Sequence, residues 1–131
     1  MIPAIPSHLS ELPIYKKAID IFTLSQNLSQ YFRDELSVLK LDGTEDINIY
    51  FSGDIVQQSV SLAPEIIKAE LEYFSENKYK HVAYLRRLTN LLYKNCHRLE
   101  STNGNGKDYI PLLRRELKAF KKLQKNWLLT L

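Results

Sequence analysis

A single cysteine, Cys96, among 131 residues leaves no disulfide framework within the chain and fits a reducing compartment. No apolar run approaches the roughly 18 to 20 residues that a bilayer crossing needs, and no basic segment followed by an apolar one opens the chain. Neither a membrane span nor a signal peptide is therefore expected, and the reading is cytoplasmic. Glycine is scarce, at four residues, and three of the four fall in 40–46 and 101–107. The run Asn103-Gly104-Asn105-Gly106 lacks the preceding strand and the following Lys-Ser/Thr of a phosphate loop. Histidine numbers three, and no Glu-x-x-His occurs, so the ligand set of a di-iron bundle is missing. His97 and Glu100 form one His-x-x-Glu, with His97 projecting beside a basic flank, and His81 reads as a packed histidine. Cys96 falls in an apolar stripe and His97, next in sequence, points about 100° away on a helix, so no thiol–base pair forms. No enzyme, metal or cofactor is expected.

What is present is the balance of a globular protein, with 44% apolar and 25% charged residues. One domain suffices for this length. We read residues 1–12, with Pro3 and Pro6, as an extended arm and residues 13–131 as the domain.

The chain is organised around residues 47–74, which carry two apolar stripes at helical spacing. The first is Ile47, Phe51, Ile55, Gln58, Leu62, Ile66, Ala69 and Tyr73. The second is Ile49, Gly53, Val56, Val60, Ala63, Ile67 and Phe74, where Gly53 and Ala63 leave room for another backbone. Pro64 removes one hydrogen bond, which predicts a single kinked helix. The first helix starts at Pro13 and turns Ile14, Ala18, Ile21, Ser25, Leu28, Phe32, Leu36 and Leu39 inward. A turn over 40–46 follows, with Thr44 as the next cap. Ser75 is a candidate cap before a third helix over 79–100, which buries Val82, Leu85, Leu88, Leu92, Cys96 and Leu99. Asp108 caps the fourth, whose inner face is Ile110, Leu113, Leu117, Phe120, Leu123, Trp127 and Leu131. The expected fold is an all-α, up-and-down four-helix bundle with long helices, the second kinked at its proline.

Charge is divided unevenly. Residues 1–75 hold 5 Lys/Arg against 11 Asp/Glu, net −6, and residues 76–131 hold 13 against 4, net +9, summing to +3. On the third helix Lys80, Arg87, Lys94 and Arg98 lie within roughly 40° of one another. On the fourth, Arg114, Arg115, Lys118, Lys121, Lys122 and Lys125 fill an arc of roughly 120° without an acid. Such a layout suits phosphate, because each neutralised phosphate releases counterions. Tyr84 and Tyr93 are placed to stack on bases or to pack between helices. These residues form the candidate site for RNA or DNA. Ile49, Val56, Val60, Ala63, Ile67 and Phe74 form the candidate interface of a homo-oligomer.

The segments Leu12-Pro13-Ile14-Tyr15-Lys16-Lys17-Ala18 and Ser59-Val60-Ser61-Leu62, with the run over 79–85, resemble the four-helix-bundle proteins encoded in intervening sequences of bacterial large-subunit ribosomal RNA genes. They also resemble the accessory variability determinants of diversity-generating retroelements. Where the family has Ser-Ile-Pro-x-Asn-Ile-Ala-Glu-Gly, this chain has Ser61-Leu62-Ala63-Pro64-Glu65-Ile66-Ile67-Lys68-Ala69. The resemblance implies a non-enzymatic bundle that closes into a ring, typically a pentamer, with a basic surface for nucleic acid and, in the retroelement branch, a reverse-transcriptase partner. Two rivals stand beside it. A helical toxin-type ribonuclease would need an arginine four to six residues from a histidine, and none precedes His97 at that distance. A purely structural scaffold would dock the basic half of one subunit on the acidic half of the next.

Overall fold

The computed structural model describes residues 6–36, 47–101 and 109–131, and among them every regular element is a helix. A single turn, α1 (Ser7–Ser10), leads into α2 (Pro13–Leu36). Then come α3 (Ile47–Val60), α4 (Leu62–Leu71), α5 (Ser75–Ser101) and α6 (Tyr109–Thr130). The expected turn over 40–46, Thr44 as a cap, the inward side chains of Leu36 and Leu39, and Asp108 as a cap lie outside what is described.

Three expectations are corrected. The arm read as extended carries the turn α1: the Pro6 carbonyl accepts from Leu9 N at 3.0 Å, and Leu9 is buried. The proline ring fixes the backbone before the turn, and the apolar side chain that follows draws it onto the domain. The single second helix is two, parted at Ser61. Pro64 has no N–H to return to the Val60 carbonyl, and the ladder resumes with Glu65 N on the Ser61 carbonyl at 3.2 Å. The third helix begins four residues before 79. Extended backbone at Glu72 ends α4, and the Phe74 carbonyl then accepts from Asn77 N and Lys78 N at 3.1 and 3.0 Å to start α5.

The apolar periodicity explains the packing. Ile14, Ala18, Ile21, Leu28 and Phe32 of α2 are buried, as are Val82, Leu85, Leu88, Leu92, Cys96 and Leu99 of α5 and Ile110, Leu113, Leu117, Phe120 and Trp127 of α6. Ile55, Leu62, Ile66 and Ala69 bring the first stripe of α3 and α4 into the same core. Serines enter it because each returns its hydroxyl to its own helix. Ser25 donates to the Ile21 carbonyl at 2.7 Å, Ser52 to Ile49 at 2.9 Å and Ser59 to Val56 at 3.0 Å.

Polar pairs set the directions. α5 meets α6 through Glu100–Arg114, Tyr93–Lys121 and Thr89–Gln124, where one number falls as the other rises, so the two run antiparallel. The same holds for α2 and α6 through Lys17–Glu116 and Tyr31–Tyr109. It holds again for α5 against α3 and α4, through Asn95–Gln58 and His81–Glu65. α2 also packs along α3.

Candidate functional site

Helix α6 buries one face against α2 and α5, so its cations have only solvent to enter. Arg114, Arg115, Lys118, Lys121, Lys122 and Lys125 are all exposed, as are Lys80, Arg87, Lys94 and Arg98 of α5. The structure does not treat these ten alike. Arg114 Nη1 lies 2.9 Å from Glu100 Oε2 and is neutralised there. Arg98 bonds Asn95 Oδ1 at 3.2 Å and sits 5.6 Å from the Phe51 ring centre, which turns it toward α3 and away from α6. Lys121 Nζ stands 4.2 Å over the Tyr93 ring, a cation–π contact that keeps the charge while fixing its position. The other seven make no ion pair with a described carboxylate.

Two of the acids near these faces are occupied, while Glu76 is exposed one turn before Lys80 on α5. Glu116 of α6 pairs with Lys17 of α2 at 2.7 Å, and Glu100 with Arg114. The cations within each helix's basic stripe therefore add rather than cancel, and the field of each stripe extends about 8 to 10 Å at moderate ionic strength. Of the two tyrosines, Tyr84 is exposed and Tyr93 is half-buried beneath Lys121. Burial pushes the Tyr93 hydroxyl up from its ordinary pKa, with a smaller contribution from Cys96.

A groove of about 370 Å³ lies between α5 and α6, lined by Arg86, Thr89, Asn90, Lys121, Gln124, Lys125 and Leu128. The α5 residues follow the spacing i, i+3, i+4, and the α6 residues i, i+3, i+4, i+7, so each set is one helix face. Sequence reasoning missed Arg86 and Gln124. The signal exists, as Arg86-x-x-Thr89-Asn90 and Lys121-x-x-Gln124-Lys125, but only the α5–α6 pairing shows that the two faces meet.

The remaining reactive side chains have structural partners. Cys96 is buried, its Sγ 3.9 Å from Glu100 Oε1 and 3.8 Å from the Ile110 carbonyl. Burial first, and the Glu100 carboxylate second, push its thiol up to about 12. His81 Nδ1 lies 2.8 Å from Glu65 Oε2, and Lys68 Nζ 3.3 Å from Glu65 Oε1, so a carboxylate only 7% exposed joins α4 to α5. His97 is exposed on α5. Among the described residues no three or more His, Cys, Asp and Glu converge as a metal site. None of the described helices is long and apolar enough to cross a membrane.

The second stripe is covered unevenly. Ile49, Val56 and Ile67 are half-buried and Val60 is 44% exposed, which leaves an apolar strip on the outside of α3 and α4. Two of its expected members lie apart from this strip. Ala63 is enclosed by its own protomer. Phe74 is on no helix, because the chain leaves α4 at Leu71. It stands 64% exposed in the link to α5, edge-on to Tyr73 at 5.3 Å. Tyr73, expected to face inward, is 88% exposed for the same reason. A Cβ added at Gly53 meets nothing within 4 Å among the described residues, so no other described helix uses the room there.

No protein-family model, curated protein or solved structure matches this chain.

Proposed function

We propose that the protein is a non-enzymatic, up-and-down four-helix bundle that assembles with copies of itself and binds RNA or DNA without base specificity. In this reading α3 and α4 together form the second of four long antiparallel members, bent where Pro64 interrupts the ladder, and α2, α5 and α6 are the others. The antiparallel pairs α2–α6, α5–α6 and α5 with α3 and α4 support that topology. Val60, with Ile49, Val56 and Ile67 beside it, supplies the self-association surface. A ring of the pentameric kind, cytoplasmic and serving a reverse transcriptase, is the form that the resemblance implies.

One observation carries the nucleic-acid reading. Lys80, Arg87, Lys94, Arg115, Lys118, Lys122 and Lys125 are exposed and unmatched by any described carboxylate, while Glu100 and Glu116 are engaged elsewhere. Seven such charges on two adjacent helices suit a polyanion whose charges repeat every few ångströms. Light scattering of the purified protein before and after nuclease treatment tests the reading. A mass several times 15.3 kDa is expected, with nucleic acid associated until the nuclease removes it. A particle of 15.3 kDa that retains no nucleic acid at low salt contradicts it.

A further inference from the structure

We infer that the groove between α5 and α6 is a discrete binding site for one phosphate ester about the size of a nucleotide unit. Three cations line it, Arg86 on one wall and Lys121 and Lys125 on the other, and no described carboxylate does. Arg86 supplies a planar fork suited to two phosphate oxygens, whereas the lysines act as point charges. Lys121 is held in place by the Tyr93 ring 4.2 Å away, which reduces the entropy lost when it meets an anion.

The floor of the groove separates this site from an ordinary basic ridge. Gln124 is only 6% exposed. The Thr89 hydroxyl gives its one proton to the Leu85 carbonyl at 2.8 Å, and the Gln124 side-chain amide lies 3.4 Å from the same hydroxyl oxygen. The Gln124 amide, on the floor between the two cationic walls, can offer an N–H to an anion's oxygen there. Asn90 adds a neutral donor and acceptor, and Leu128 gives an apolar surface for the organic part of an ester. The space, about 370 Å³, exceeds what a bare phosphate fills and falls within the range of small-ligand sites.

The phosphate could belong to a nucleic-acid backbone or to a free nucleotide, and the chemistry of recognition is the same. The inference rests on the nucleic-acid reading for the source of the phosphate and not for the groove itself. Two probes separate the sources: uridine monophosphate and a short mixed-sequence single-stranded RNA, each titrated into the full chain and followed by the side-chain signals of Gln124 and Arg86 in nuclear magnetic resonance. Both signals are expected to shift and saturate at one site with at least one of the probes. Arg86→Gln and Gln124→Leu should each weaken that binding ~10-fold, and Arg115→Gln, outside the groove, by less than about 2-fold. Arg86 is an exposed side chain, so its variant retains the fold and carries the test if Gln124→Leu does not. Monophosphate binding without RNA binding supports the groove and overturns the nucleic-acid reading. RNA binding unaffected by Arg86→Gln, with no monophosphate shift, overturns the groove and leaves the basic face standing. Binding of neither probe overturns both.

Discussion

The indole Nε1 of Trp127 donates to the Glu70 carboxylate at 2.7 Å, joining the last turn of α6 to the last turn of α4. Trp127 is buried and is the only tryptophan in the chain, so its fluorescence reports this junction alone. Glu70→Ala leaves a buried N–H without its charged acceptor, and a loss of about 1.5 to 3 kcal/mol is expected in urea unfolding. Glu70→Gln retains an acceptor and should lose less than about 1 kcal/mol. Equal stability of the alanine variant and the parent protein would show that the bond contributes nothing.

The inner faces of α2, α5 and α6 were legible because each repeats an apolar residue every three or four positions, from Ile14 to Phe32, from Val82 to Leu99 and from Ile110 to Trp127. Periodicity marks a face but does not say where a ladder stops. Residues 47–74 keep their stripes through Ser61, so the pattern does not mark the break there. Phe74 and Tyr73 continue the spacing after the helix has ended, and the pattern alone cannot show that they face solvent. The basic face was legible as an arc. The groove was not, since Arg86 falls outside the arc of Lys80, Arg87 and Lys94, and only tertiary pairing sets it against Lys121 and Lys125.

Gly53 distinguishes a lone protomer from an assembly. Among the described residues nothing lies within 4 Å of a Cβ placed there, so Gly53→Ala should stabilise the isolated chain by about 0.5 to 1 kcal/mol through helix propensity. Val60 is the complementary probe: Val60→Asp places a charge on a side chain 44% exposed, which a monomer tolerates and an apolar interface does not. Sedimentation should show the Val60→Asp protein as a folded monomer. An unchanged mass would remove α3 and α4 from the interface.

Cys96 gives a pH-dependent prediction. Its thiol is raised from 9.0 to about 12 in the folded protein, so between these values the unfolded chain loses the proton first. Ionisation there favours unfolding, and stability falls as pH rises from 9 toward 12, whereas below 9 the thiol is neutral in both states and the contribution is flat. Cys96→Ala should remove that part of the alkaline slope, read from urea midpoints across the range. Near pH 8 a thiol reagent should label the native protein far more slowly than the unfolded chain, because Cys96 is buried and its thiol is raised. Labelling of the native state at the unfolded rate would show that Cys96 is accessible.

The most direct test of the central claim is fluorescence anisotropy of a labelled mixed-sequence RNA, titrated at several salt concentrations with the parent chain and with the triple variant Lys118→Glu, Lys122→Glu and Lys125→Glu. All three positions are exposed and free of ion pairs with described carboxylates, so circular dichroism should be unchanged. The parent should bind at about 50 mM salt, with log K falling against log salt at a slope of about −2 to −4, as several displaced counterions require, and the variant should not bind. A parent chain that leaves the RNA free at that salt, or a variant that binds it equally well, contradicts the account.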